Sequence, residues 1–276
     1  MLQENSTRRH GDAWVPLSYR IFSSFVCGGM MPLGRERDIG EDVSEDVDVV
    51  VLRMDIGADA VAKAVQILSS EERLRVARYA IARDGQRFAV GRGRLRTLLG
   101  ARLGMDPARV EIGYGPNGKP ALAGSSATSG LRFNSARSGD LAVFAFAYGR
   151  ELGVDVEAVC CLRDADEIAR RHFSRHELGD YLALEPAERL VGFYNCWTRK
   201  EAFTKAVGDG LYHSLDAFDV SLAPHDAAQI LRVGALSGED CGWELHGFIP
   251  APGVVGALVV QRMANQARPL LSAGMD

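Results

Sequence analysis

Hydrophobic patterning divides the chain into two rounds of strands and helices. Residues 47–56 are rich in valine and mostly apolar, which predicts a strand. From Ser69 the pattern becomes helical, and the run Ser-Ser-Glu-Glu is typical of a helix N-terminus. Gly100 and Gly104 predict where this helical stretch ends. Its apolar positions are Leu74, Tyr79, Ile81, Phe88, Val90 and Leu95.

The rest of the chain passes through a β region, returns to helices and closes with strands. In the middle, strands are predicted at 110–114, 131–134, 141–148 and 151–159. Helical patterns follow from about residue 164 to residue 207, with Pro186 at a position that a helix start tolerates. Strands close the chain at 215–222, 243–248 and 254–261.

A weak internal similarity accompanies this repetition. Residues 52–56 match residues 152–156 in pattern, and the segments 68–71 and 173–176 match in the same way. Chance similarity between short strands is an equally good explanation. The chain is therefore predicted to be α+β, and two similar α/β lobes are one of two open interpretations.

One face of the last predicted helix carries a column of chemically distinct side chains. Trp197, Glu201 and Lys205 follow one another at four-residue spacing, and Gly208 supplies the stop. An acid and an amine at this spacing also stabilise an ordinary exposed helix, by roughly 0.2–0.5 kcal/mol. The column alone therefore does not identify a site.

The strand predicted at 151–159 carries two carboxylates. Asp155 and Glu157 are two residues apart and share one face, while Val154 and Val156 occupy the other. Like charges side by side are unfavourable unless a cation lies between them. With Glu201 they form a set of three carboxylates, which suits Mg²⁺ and is too hard for zinc. A solvated acidic strand end is the alternative for the strand pair alone.

Together, and in this order, Gly153-Val-Asp-Val-Glu157 and Trp197-Thr-Arg-Lys-Glu-Ala-Phe-Thr-Lys205 resemble the signature pair of the 4′-phosphopantetheinyl transferase superfamily, in its larger, surfactin-synthetase-type group. Further matches extend over residues 68–218. The resemblance implies a pseudo-twofold monomer with its active site in the cleft between two lobes. It also implies transfer of 4′-phosphopantetheine from coenzyme A (CoA) to a serine of an acyl or peptidyl carrier protein, of holo-acyl-carrier-protein synthase type, with release of adenosine 3′,5′-bisphosphate.

The resemblance assigns roles to the two motifs. Asp155, Glu157 and Glu201 would hold Mg²⁺ on the CoA diphosphate, and Lys205 would neutralise the transferring or leaving phosphate. Glu201 is the preferred general base, and whether it is ligand, base or both stays open. We expect Trp197 to be a packing anchor.

The nucleotide end of CoA calls for cations. The candidates, at positions similar to those the family uses, are Arg75, Arg87, Lys119 with the following Pro120, and Arg137. For Arg75 and Arg87 a solvated helix face is an equal alternative, because the surrounding stretch is rich in arginine. Lys119 is favoured, because Gly-Lys-Pro after a turn fixes the backbone beside a cation.

The segment Phe133-Asn-Ser-Ala-Arg-Ser-Gly139 departs from the usual family pattern, Phe-Asn-x-Ser-His-Ser-Gly. Ala136 stands where the family has serine, and Arg137 where it has histidine. One hydroxyl contact is lost, and a permanent charge is gained. We expect CoA binding to survive, with less dependence on pH near neutrality.

Composition narrows the class of partner and compartment. A net charge of −4 over 276 residues gives no basic footprint for nucleic acid. No run of eighteen apolar residues could span a membrane. Five cysteines without a Cys-x-x-Cys pair argue against a disulfide framework or a zinc site. We expect a cytoplasmic monomer without nucleic-acid or membrane partners.

We expect four regions along the chain: a poorly ordered extension at 1–45, a lobe with the nucleotide contacts at 46–149, a lobe with the metal and catalytic residues at 150–265, and a tail at 266–276. Met30 and Met31 are alternative translation starts.

Two rival functions are a Mg²⁺-dependent CoA or nucleotide pyrophosphatase and a non-catalytic CoA- or carrier-binding protein. Three convergent carboxylates argue against the second rival, because without a metal they cost stability.

Overall fold

The fold is a mixture of helices and antiparallel sheets. The computed structural model describes residues 37–38, 46–54, 56–208, 215–239 and 241–263. The predicted extension at 1–45, apart from 37–38, and the predicted tail at 266–276 lie outside the described residues. Within those residues, no helix is both long enough and apolar enough to cross a membrane.

The described residues of the first half of the chain form one four-stranded sheet, three helices and a small hairpin. The strands of this sheet are β1 (Arg37–Asp38), β2 (Val47–Arg53), β5 (Leu131–Ser138) and β6 (Leu141–Tyr148), in the order β1-β2-β6-β5. The helices are α1 (Ala58–Ile67), α2 (Ser70–Ala77) and α3 (Ala82–Leu103). A small hairpin, β3 (Ile112–Tyr114) and β4 (Pro120–Leu122), lies between 3₁₀ turns at Pro107–Arg109 and Gly124–Ser129.

In the second half, the residues that the structure describes form a three-stranded sheet, three helices and a small outer sheet. Strands β7 (Leu152–Ala158), β11 (Trp243–Ala251) and β12 (Val254–Gln261) form the first sheet, in the order β7-β12-β11. The helices are α4 (Ala165–His172), α5 (Arg175–Ala183) and α6 (Arg189–Val207). After a 3₁₀ turn at Leu215–Ala217, the outer sheet contains β8 (Phe218–Val220), β9 (Ile230–Val233) and β10 (Leu236–Ser237).

Several predicted boundaries need correction. The first strand ends at Arg53 and does not reach residue 56. Helix α1 was not predicted, because its N-cap is Gly57, which makes no side-chain capping bond and leaves no polar start signal. Pro186 lies in a turn before α6 and is not its first residue. The predicted strand at 215–222 is a 3₁₀ turn followed by the three residues of β8.

The two halves share an order of elements. In the first half, β6 comes last in the chain and lies between β2 and β5 in the sheet. In the second half, β12 comes last and lies between β7 and β11 in the same way. Helices α2 and α5 both begin with a capping box, Ser69 with Glu72 and Ser174 with Glu177. Leu141 is the first residue of β6 and pairs with Arg53 of β2, and Val254 is the first residue of β12 and pairs with Ala158 of β7. Residues 47–53 therefore correspond to 152–158, so the predicted match of 52–56 with 152–156 is wrong in register.

Three apolar layers hold these elements together. Alternate residues of β6 and β12 point to opposite faces of their sheets, so Val143 and Leu258 lie in a core between the two sheets. The opposite face of β6 packs against α1 and α3, with Phe144 and Leu99 in that core. The opposite face of β12 packs against α6, with Ala257 and Trp197 in the third core. The order is helices, sheet, sheet, helices.

Helix α6 is buried along most of its length. Every residue from 192 to 206 is buried, including charged side chains. Lys200 is fully buried and its Nζ lies 2.7 Å from Glu177 Oε1, while also donating to the carbonyl oxygens of Leu215 and Phe218. The role of Lys200, which the sequence left open, is thus to join α6 to α5 and β8.

The close approach of β7 to α6 depends on Gly153. A Cβ atom at this position would lie 2.2 Å from the carbonyl oxygen of Ala202 and 2.3 Å from the backbone nitrogen of Ala206. Both distances are far below van der Waals contact, and both atoms belong to helical backbone that cannot move alone. Only glycine therefore lets the strand and the helix pack at this distance.

We expect Gly153→Ala to lower the free energy of unfolding by on the order of 2 kcal/mol or more, because β7 and α6 must separate. Urea denaturation followed by circular dichroism measures this. Gly179→Ala, at an exposed position of α5 with no atom within 4 Å of the added Cβ, is the control and should stabilise by roughly 0.5–1 kcal/mol. Equal stabilities for the wild type and Gly153→Ala would contradict this account of the contact.

Candidate active site

The two carboxylates of β7 face helix α6. Asp155 Oδ1 lies 2.6 Å from Lys205 Nζ, and Asp155 is 2% exposed. Val154 and Val156, on the other face, lie in the core between the sheets. The predicted division of this strand into a carboxylate face and an apolar face is therefore confirmed.

Helix α6 presents Glu201 and Lys205 one turn apart, and both are 2% exposed. Lys205 Nζ also donates to the carbonyl oxygen of Val154, 3.2 Å away, so it contacts both the backbone and the carboxylate of β7. Trp197, one turn before Glu201, stacks on Phe193 with ring centroids 6.1 Å apart. Its place in the apolar core is that expected of a packing anchor.

Burial raises the pKa of all three carboxylates, and repulsion from Asp155 adds to the shift at Glu157 and Glu201. Burial, followed by repulsion from Asp155, raises the pKa of Glu157 to about 8. Burial and the same repulsion raise the pKa of Glu201 to about 8. Burial also raises the pKa of Asp155, against the opposing effect of the Lys205 ammonium. Among the described residues, the Lys205 ammonium is the one cation that acts on all three carboxylates. The cluster therefore has fewer positive charges than carboxylates.

The donor set fits a hard divalent cation. Asp155 Oδ2 is buried and accepts no hydrogen bond from the residues that the structure describes. Among those residues, no three His, Cys, Asp or Glu side chains are arranged as they stand to hold a metal ion. Lys205 engages one oxygen of Asp155, and Ser138 engages one of Glu157. Oxygen-seeking Mg²⁺ nevertheless prefers carboxylates such as these three as ligands.

The predicted arginines on the helices of the first half have different surroundings. Arg87 Nη2 lies 2.9 Å from Asp140 Oδ1, in the turn between β5 and β6. The guanidinium of Arg75 lies over the Phe88 ring, 4.7 Å from its centroid. Arg87, on α3, is therefore bonded to the turn that follows β5, the strand that carries Arg137. Arg75 lies on the preceding helix, α2.

Lys119 contacts the end of helix α6. Its Nζ donates to the carbonyl oxygen of Ala206 and to Glu151 Oε2, each at 2.9 Å. Burial lowers the pKa of Lys119, and the Glu151 carboxylate opposes that shift. Asn117 Nδ2 donates to the carbonyl oxygen of Gly208, 3.1 Å away. Two carbonyl groups at the helix end are thereby satisfied by the β3–β4 turn, which Pro120 closes as the first residue of β4.

Arg137 lies on β5 opposite Ala142 and is half-buried, and its side chain makes no hydrogen bond or ion pair to another described residue. Its guanidinium keeps all five donors for a ligand. Its neighbour Ser138, which the sequence did not single out, donates to Glu157 Oε2 at 2.8 Å. The signal for Ser138 was its place in the segment 133–139, but only the fold shows which carboxylate it meets.

Comparisons with known proteins agree with this architecture. Residues 57–148 match the family model described as 4′-phosphopantetheinyl transferase, N-terminal, and residues 151–249 match the 4′-phosphopantetheinyl transferase superfamily model. The chain is 32% identical over 218 residues to the 4′-phosphopantetheinyl transferase HetI of Nostoc sp., covering 79% of this chain and 89% of the relative.

Two further relatives match shorter stretches. The 4′-phosphopantetheinyl transferase Sfp of Bacillus subtilis is 30% identical, with 60% of this chain and 70% of the relative covered. The human L-aminoadipate-semialdehyde dehydrogenase-phosphopantetheinyl transferase is 28% identical, with 58% of this chain and 55% of the relative covered. Their names all describe phosphopantetheinyl transfer.

The raised carboxylate pKa values predict that the metal-free protein loses stability as pH rises. Glu157 and Glu201 have a pKa of about 8 in the folded chain, against an ordinary value of 4.5. Between these values the folded state keeps protons that the unfolded state has lost, so the free energy of unfolding falls, by up to about 1.4 kcal/mol per pH unit for each group.

Glu201→Gln removes one of these titrating groups and should make the decline shallower. Urea denaturation in EDTA, at intervals between about pH 5 and pH 8, measures both slopes. Glu71→Gln, at an exposed position of α2, is the control and should keep the wild-type slope. Parallel slopes for the wild type and Glu201→Gln would contradict the prediction.

Proposed function

Because the chain belongs to the 4′-phosphopantetheinyl transferase superfamily, we propose that it transfers 4′-phosphopantetheine from CoA to a serine of an acyl or peptidyl carrier protein. The observation that carries the proposal is the cluster of Asp155, Glu157, Glu201 and Lys205, buried between β7 and α6. Buried carboxylates that lack enough positive charge suit a reaction in which a divalent cation holds a diphosphate.

Asp155, Glu157 and Glu201 would hold Mg²⁺. When bound, Mg²⁺ supplies neutralisation of the diphosphate charge and polarisation of the phosphorus under attack. Glu201, in its ionised form, accepts the proton of the carrier serine, directly or through a water molecule. The serine oxygen bonds to the β-phosphorus, and the bond from that phosphorus to adenosine 3′,5′-bisphosphate breaks.

Lys205 neutralises charge on the phosphate that is transferred or released. Its Nζ lies 2.6 Å from Asp155 Oδ1, so the ammonium is held beside the carboxylates and cannot swing away freely. This fixed position supports electrostatic stabilisation of the developing charge, since little reorganisation is needed.

The nucleotide end of CoA would lie against the first half of the chain. Arg137 supports this assignment best, because its guanidinium has no partner among the described residues. Arg87 and Arg75 would contribute charge from the helices. Lys119 would contact the nucleotide if it exchanged its bonds to Ala206 and Glu151 for phosphate. The shared order of elements supports our proposal that the halves are pseudo-twofold lobes with the site between them.

We also place the reaction in the cytoplasm, with the chain acting as a monomer. The support is compositional: the sequence has no Cys-x-x-Cys pair, and no disulfide links the cysteines of the described residues.

Intact-mass analysis of apo carrier proteins tests the function. An apo acyl carrier protein and an apo peptidyl carrier protein are each incubated with the protein, CoA and Mg²⁺, with and without EDTA. We expect each labelled carrier to gain the mass of one phosphopantetheine, and EDTA to abolish the gain. Asp155→Ala should label at least about a hundredfold more slowly, as expected for a lost metal ligand.

The other outcomes separate the rival functions. CoA consumption without a gain in carrier mass would indicate a Mg²⁺-dependent pyrophosphatase, in which water replaces the serine. CoA binding without consumption would indicate a non-catalytic binding protein. Either result would overturn the proposed transferase.

We expect Arg137→Ala to raise the KM for CoA by about tenfold or more while changing kcat little, because it removes binding at a group remote from the reacting phosphorus. Steady-state rates over a range of CoA concentrations measure both constants. Arg94→Ala, at an exposed position of α3, is the matched control. An unchanged KM in Arg137→Ala would remove Arg137 from the nucleotide site.

A further inference from the structure

Strand β5 of the first sheet supports the unpaired edge of β7. One edge of β7 pairs with β12, and the other faces β5. The backbone N–H of Val154 donates to Asn134 Oδ1 at 3.0 Å, and the N–H of Ala158 donates to Ser138 Oγ at 2.9 Å. Asn134 and Ser138 of β5 thus accept hydrogen bonds from the backbone N–H groups of Val154 and Ala158 of β7. The two carboxylates of β7 lie between these two bonds along the strand.

The Ser138 hydroxyl makes a second bond that concerns Glu157. A hydroxyl has one hydrogen to donate and lone pairs to accept. Since its oxygen receives the Ala158 N–H, its hydrogen is left to be directed to Glu157 Oε2, 2.8 Å away. The hydrogen bond from Ser138 engages Oε2 and not Oε1 of Glu157. One oxygen of this carboxylate is therefore held, and the other is left for a ligand.

Glu157 lacks the direct ion pair that holds Asp155. Asp155 and Glu201 both repel it, whereas its attraction to Lys205 is weaker than its repulsion from Asp155. Its side chain has three rotatable bonds, so repulsion alone would turn it away from the other carboxylates. Asp155, in contrast, is held directly by Lys205.

We propose that Ser138 is a positioning residue that holds Glu157 in place to bind the divalent cation. The inference rests on the proposed function and goes beyond it, because it gives a role to Ser138, which has none in the proposed transfer step. Hydrogen bonds to metal-binding carboxylates orient them, and losing such a bond typically weakens metal binding about 10- to 100-fold.

The test compares Ser138→Ala with Ser138→Thr and a control on the same strand. We expect Ser138→Ala to require about 10- to 100-fold more Mg²⁺ for half-maximal transfer, with kcat recovering at saturating Mg²⁺. Ser138→Thr keeps a hydroxyl and should restore the wild-type requirement. Ser135→Ala is the control, because Ser135 pairs with Phe144 and makes no side-chain hydrogen bond to a described residue.

A second readout does not depend on turnover. Isothermal titration calorimetry measures how strongly Mg²⁺ tightens the binding of CoA to each protein. We expect this tightening to need about tenfold or more additional Mg²⁺ in Ser138→Ala, and to stay at the wild-type level in Ser138→Thr and Ser135→Ala. If Ser138→Ala does not fold, Ser138→Cys, whose thiol is a weak donor, replaces it in both experiments.

Two results would overturn the inference while the transferase stands: a wild-type Mg²⁺ requirement in Ser138→Ala, or a loss of rate that saturating Mg²⁺ does not restore. The second result would assign Ser138 to the strand edge alone. Absence of Mg²⁺-dependent transfer in the wild type would instead overturn the proposed function.

Discussion

The contact between β7 and α6 is the constraint on which the rest of the structure depends. Gly153 allows the strand to reach the helix backbone, and this approach brings Asp155 within 2.6 Å of Lys205. The same approach removes the carboxylates from water, which is why burial is the largest cause of the raised pKa values of Glu157 and Glu201. Close packing thus creates an electrostatic strain, and binding a cation would relieve it.

The first half of the chain stabilises this contact from two sides. Ser138 and Asn134 satisfy the free edge of β7, and the β3–β4 turn satisfies the end of α6 through Lys119. Neither set of bonds is local, because the Lys119 contact joins residues 87 positions apart. Both elements of the site therefore depend on the way in which the halves pack. A variant far from the carboxylates could change their geometry through these bonds.

Local periodicity in the sequence was enough to predict the faces of β7 and α6, because a strand repeats every two residues and a helix about every four. The capping box at Ser69 was also a local signal, and it is confirmed. Two predictions failed where such a signal is missing: α1 has no polar cap, and the match of 52–56 with 152–156 was placed in the wrong register. The match of 68–71 with 173–176 is in register, because Ser69 and Ser174 both begin a capping box. The partners of Ser138 and Lys119 depend on tertiary packing, so no pattern along the chain could give them.

Comparing corresponding positions in the two halves separates architecture from chemistry. Both halves keep a buried ion pair behind the capping glutamate, Glu72 with Arg96 and Glu177 with Lys200, and both long helices end at a left-handed glycine. When the two long helices are aligned at Gly104 and Gly208, Thr97 corresponds to Glu201 and Ala101 to Lys205. When the two sheets are aligned by their strand register, Val50 corresponds to Asp155 and Leu52 to Glu157. The shared features maintain the fold. The carboxylates and Lys205 have counterparts that cannot ionise, so the same order of strands and helices forms in the first half of the chain without such charges.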